Sequence, residues 1–225
     1  MERNFSHARI ERYRSARNGD KVQAAEDYAH NLRLAESMMP MLNVLEIGLR
    51  NALHARLSTL YGKENWWVEW AGQAEFVNGL RSIDEAKNKL KVRRERVTSD
   101  KILAELTFGF WCALFNARHQ DTLWKDLRLA FPSCPRDLRR RKTISRALNE
   151  VRALRNRVFH HEPLLWLTPN LADRHIRGVT VVGWLDPALR TWLDQHDRFP
   201  QTWSCSPQSS CVGESKRSEL AANEV

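Results

Sequence analysis

The chain has 225 residues, 42% of them hydrophobic, which is enough for one well-cored domain with tails. Lysine and arginine number 36 against 27 acidic residues, and the resulting net charge of +9 suits a polyanionic partner such as nucleic acid as well as it suits plain solubility. No uninterrupted apolar run approaches the roughly 18 residues of a membrane span, and the polar start MERNFSHARIERYRS has no signal-peptide core. Four cysteines without CxxC or Cys/His spacing fit a reducing, cytoplasmic setting better than a disulfide framework.

In chain order, Ile10 and Tyr13 anchor a short first helix that stops at the Asn18-Gly19-Asp20 break. A second helix is predicted over 21–39, and Pro40 then marks a kink or a fresh start. Over 41–60, Leu42, Leu45, Leu49, Ala52, Leu53 and Leu60 form a core stripe bordered by Glu46, Arg50 and His54 at four-residue steps. Glu46 precedes Arg50 in the favourable order for a helical ion pair, either as a surface pair or beside the Arg155 pocket introduced below. The aromatic loop around Trp66, Trp67 and Trp70 reads as a plug at one end of a bundle, with stacking on unpaired bases as the other reading. A charged helix over 76–97 follows, then an apolar helix over 101–115 with Ser99 as its N-cap, and a shorter one over 121–131. After Pro132 and Pro135 a long basic helix opens near Asp137. Two last helices, 172–185 and 187–195, are joined where Asp186 caps Pro187. The fold class is all-α: residues 1–20 pack on a helical domain of 21–197, and 198–225 form a Ser-, Pro- and Gln-rich tail expected to be disordered.

The long helix carries the chemistry. Ile144, Leu148, Val151, Leu154 and Val158 make one apolar stripe, and Arg155 falls within it. A guanidinium keeps its proton, so burying one demands a carboxylate, a phosphate or a partner chain. Asn156 and His160 lie on the flank, and Pro163 stops the helix by obstructing the carbonyl of Phe159. Arg155 and His160 stand five residues apart, roughly 140° around an ideal helix, so one chain aims both at one point only if the last turn unwinds. A pocket shared by two copies of the helix removes that difficulty. The sequence has no GxGxxG, Walker, HExxH or GxSxG signature. Neighbouring side chains such as His160 and His161 diverge on a helix, and no third ligand stands at metal spacing, so no metal or other cofactor is assigned. An arginine, an asparagine and one or two histidines at a helix end suit phosphate chemistry: arginine grips phosphate oxygens in two places and imidazoles move protons.

Arg155-Asn156, three residues, then His160 matches the Rx4H motif of the HEPN superfamily (higher eukaryotes and prokaryotes nucleotide-binding). More closely, RALRNRVFHHEPLLW resembles the signature of the Abi-like proteins, the abortive-infection group related to AbiD and AbiF, and LEIGLRNAL from Leu45 supports it. Arg12-Tyr13, Tyr28 to Asn31, Trp66-Trp67, FGFWCALF and GWLDPALRTWL follow in that family's order. The resemblance implies a HEPN-like helical bundle with additional helices, paired as a symmetric homodimer whose two motifs face each other. It implies a metal-independent endoribonuclease of phage defence or of a toxin–antitoxin system, cutting tRNA or mRNA by attack of the RNA's own 2′-hydroxyl. In that reading Arg155 grips the scissile phosphate, His160 transfers protons and Asn156 orients one or the other. His161, Glu162, Glu46 and Arg50 support the site, Arg152 and Arg157 bind RNA, and an antitoxin or phage trigger is a further partner. The alternative reading is a non-catalytic HEPN module for RNA or nucleotide binding, or for dimerisation.

Overall fold

The structure, a computed structural model, describes residues 7–205, and every regular element among them is helical. Eleven α-helices run in order: α1 (His7–Ala16), α2 (Lys21–Ser37), α3 (Met39–Tyr61), α4 (Val77–Val92), α5 (Ser99–Glu105), α6 (Phe108–Ala113), α7 (Gln120–Leu127), α8 (Arg141–Phe159), α9 (Leu171–Leu185), α10 (Pro187–His196) and α11 (Phe199–Ser204). Among the described residues no helix is long and apolar enough to cross a membrane.

The described residues divide into two units. The first is drawn from Met1–Pro40, Leu154–Ile176 and His196–Val225, and the second comprises Met41–Ala153 and Arg177–Gln195. In the first, α1 and α2 pack together across the Asn18-Gly19 turn, where both residues take positive φ. Asp20 starts α2 by accepting hydrogen bonds from the Val22 and Gln23 amides. The buried Asp27 pairs bidentately with Arg17, at 2.7 and 2.8 Å, so its charge is compensated. Helix α11 packs on α2 and buries Phe199. That corrects the expectation of a tail without structure from Arg198: Phe199 stacks on the His175 ring at 4.3 Å, and Asp197 lies 2.7 Å from His175. The rest of that expected tail lies outside the described residues.

In the second unit the aromatic loop is a plug. Trp66 and Trp70 are fully buried, Trp70 stacks on Phe76 at 4.5 Å, and Phe76 stacks on His119 at 5.0 Å. Both indole N–H groups are satisfied, Trp66 donating to His54 Nδ1 and Trp70 to the Tyr61 hydroxyl. A Cβ at Gly178 of α9 would overlap the end of the buried Met41 side chain of α3, so a larger residue there would require the methionine to move.

Several helix ends differ from the periodicity, each for a local reason. Helix α4 stops at Val92, because Arg94 takes φ 57° and the Glu95 amide reaches back to Leu90 O. The apolar run 101–115 is broken in two, since Thr107 Oγ1 accepts from the Phe110 amide and starts α6 anew. Thr98 rather than Ser99 caps α5. Helix α8 opens at Arg141, four residues beyond Asp137, because Leu138 and Arg139 donate to Pro135 O in a turn. Arg139 accordingly clasps the carbonyls of Pro132 and Cys134.

Candidate functional site

Helix α8 supplies the residues of interest from its last turns. The His160 amide still donates to Asn156 O at 2.8 Å, so the helical turn joining Arg155 to His160 does not unwind. The chain leaves the helix one residue later. His161 donates to Val158 O at 3.1 Å and Glu162 to Arg157 O at 2.9 Å, with His161 at φ 55°. These two bonds and that φ make a Schellman motif, in which the left-handed position is ordinarily glycine. The Arg157 guanidinium then closes the motif on the Glu162 carboxylate at 3.1 Å.

Arg155 is half-buried, with its guanidinium carbon 4.2 Å from the centroid of the Phe159 ring one turn on. Asn156, His160 and His161 are exposed. The segment after the motif is fixed by Asn31, to which the sequence assigned no role at the site. Asn31 of α2 is 2% exposed, and its side-chain oxygen accepts from the Leu164 amide at 2.7 Å while its amide nitrogen donates to Glu162 O at 3.4 Å. Asn31 shares the buried face of α2 with the polar Asp27, His30 and Ser37, so no lone polar residue in an apolar stripe singled it out.

The remaining candidates are in the second unit. Arg152 is half-buried, with its Cδ 3.8 Å from where a Cβ on Gly109 would stand. Glu46 is half-buried on α3, and Arg50 donates to the Asn51 side chain at 3.3 Å. The buried Cys112 thiol donates to Leu148 O at 3.8 Å; burial pushes its pKa up to about 12, with Arg152 lowering it and Glu46 raising it. That is an inert thiol, not a nucleophile.

No family model, curated protein or solved structure matches the chain. Function therefore has to be argued from the residues themselves.

Beside the motif, a cleft of about 430 Å³ is lined by Arg12, Arg157, Arg174, Glu162, Trp166 and Thr168, among others. Arg174 is immobilised by donating to Thr168 O at 2.9 Å and Pro169 O at 3.0 Å. Trp166 is braced by Tyr13, ring centroids 5.4 Å apart, and the Arg12 guanidinium carbon lies 5.9 Å from its centroid. Arg157 and Glu162 thus belong to both the end of the Rx4H helix and the wall of a basic cleft. Among the described residues no three His, Cys, Asp or Glu side chains gather as a metal site requires.

Proposed function

We propose that the chain is an Abi-like ribonuclease of the HEPN superfamily, acting as a symmetric dimer in which two Rx4H motifs share one RNA-cutting site. The observation that carries this reading is the end of α8: a half-buried arginine, an exposed asparagine and an exposed histidine within two turns, followed at once by an ordered basic cleft. The unbroken turn between Arg155 and His160 keeps them on different sides of one helix, which favours a site completed by a second copy.

In this mechanism the 2′-hydroxyl of one nucleotide attacks its own 3′-phosphate, and the bond from phosphorus to the next 5′-oxygen breaks. One histidine takes the proton from the 2′-hydroxyl, and its counterpart from the second copy gives a proton to the departing 5′-oxygen. Arg155 holds the non-bridging oxygens and stabilises the charge that builds on them in the transition state. Asn156 orients the phosphate or the imidazole. The products are a 2′,3′-cyclic phosphate and a 5′-hydroxyl. The biological setting that goes with this chemistry is phage defence or a toxin–antitoxin system, with tRNA or mRNA as the substrate and growth arrest as the outcome.

The test is substitution of both residues in the full chain. Arg155→Ala and His160→Ala each lower RNA cleavage by about 10³-fold, with circular dichroism and elution volume unchanged from the parent. Mixing the two inactive variants does not restore the parental rate, because each heterodimer holds one arginine and only one of the two histidines that the mechanism uses. A double variant that cuts RNA as well as the parent overturns the reading.

A further inference from the structure

Three guanidiniums around one cleft repel each other, and the only carboxylate among its lining residues, Glu162, is already paired with Arg157. Such an arrangement is relieved by an anion, and two of the three cations are pre-set for one: Arg174 by two backbone carbonyls, and Arg157 by Glu162. A guanidinium has five N–H donors, so each keeps donors beyond those bonds. The cleft does not stand alone. A second cleft of about 490 Å³, lined by His7, Glu11 and Ser15, has Arg12 and Trp166 as its other wall. The tryptophan and the arginine therefore form a ridge between two adjoining depressions, which fits an extended ligand with an aromatic group better than a point anion.

We propose that the cleft of Arg12, Arg157 and Arg174 is a subsite for the RNA strand outside the scissile phosphate, where a backbone phosphate meets the guanidiniums and a base lies on Trp166. This rests on the RNA-cutting reading above and extends it to residues far from the motif in sequence. Arg157 and Glu162 flank His160 by three and two positions in the sequence, which puts the cleft at the end of the Rx4H helix. The base contact is tolerant of sequence, because any base presents a face to the indole.

The experiment measures binding, so that it is independent of cleavage. Anisotropy of a labelled single-stranded RNA is followed across a salt series with the full-length His160→Ala protein, then with Arg12→Gln, Trp166→Leu or Trp166→Phe added. Arg12→Gln is expected to weaken binding roughly five- to tenfold at low salt and to reduce the slope of log K against log salt by about 0.7. Trp166→Leu weakens binding roughly tenfold and Trp166→Phe much less, since phenylalanine keeps a stacking face; thermal melts identify any variant that fails to fold. Inorganic phosphate and a nucleoside monophosphate displace the RNA only at far higher concentration. Parental affinity and slope in Arg12→Gln overturn the subsite, and so does displacement by phosphate as readily as by RNA, which describes a free-anion pocket. Cleavage by the parent together with Arg12-insensitive binding removes the subsite alone. Arg12-dependent binding without any cleavage leaves the subsite standing and removes the nuclease reading.

Discussion

His161 occupies the position at which a helix end most favours glycine, and occupying it strains the chain. A non-glycine residue at φ 55° sets its Cβ against its own backbone, at a cost of about 1 kcal/mol. Nothing in the Schellman bonding needs an imidazole, because both bonds are made by backbone amides. His161→Gly is therefore predicted to raise stability by about 0.5–1 kcal/mol, read from the urea midpoint. A lower midpoint would mean that the imidazole makes a stabilising contact that outweighs the strain. If the midpoint rises while RNA cleavage falls, the strain is the cost of a working side chain. The candidacy of Arg155 and His160 for phosphate chemistry was readable in the sequence because those residue types carry their chemistry wherever they sit. The left-handed turn was not, because no glycine announces it.

At the scale of elements, the motif is held in register by α2. Asn31 caps the exit of α8 from 133 positions away, and Leu164 N is buried with Asn31 as its acceptor. Asn31→Ala leaves that amide without a partner and is predicted to cost about 1–3 kcal/mol. Asn31→Asp keeps the acceptor but loses the donor to Glu162 O and buries a carboxyl group against that carbonyl, so it is predicted to destabilise as well. Chemical denaturation measures both, and an alanine variant as stable as the parent would show that the clamp contributes nothing. Helix existence was readable from apolar periodicity in most elements, as in α3, whose Leu45, Leu49 and Leu53 are all fully buried, but not at α11, which falls where a tail without structure was expected. Helix ends were less readable where side-chain caps or unusual dihedrals set them. Thr107 divides an apolar run that periodicity joins, and Arg94 ends α4 in a conformation its residue type disfavours. Arg12, Trp166 and Arg174 meet only because α1, the loop after α8 and the start of α9 converge, and no local pattern encodes that.

Across the molecule, charge and burial make stability depend on pH. His30, His54 and His119 are held below the ordinary imidazole value of 6.5, in each case chiefly by burial, with Arg33 and Arg118 adding to it at His30 and His119. His54 also accepts the Trp66 N–H at Nδ1, a bond that protonation of that nitrogen would break. Below 6.5 the unfolded chain therefore binds more protons than the folded one. The stability contributed by the neutral rings is complete above that pH and is lost as pH falls toward the depressed folded values. The urea midpoint should fall between about pH 7 and pH 5, and His119→Phe should flatten part of the decline. A midpoint that stays level or rises over that range contradicts this assignment. Each of the two units is assembled from distant segments, and α3, α8, α9 and α10 each contribute residues to both.

The central claim is that Arg155 and His160 cut RNA through its own 2′-hydroxyl, and the ends of the cut report on it directly. Purified full-length protein is incubated with tRNA and with mRNA in the presence of EDTA, and the product termini are identified. The account predicts 2′,3′-cyclic phosphate and 5′-hydroxyl ends from the parent and none from the Arg155→Ala, His160→Ala double variant. Intact RNA with the parent protein, or 3′-hydroxyl and 5′-phosphate ends, would contradict it.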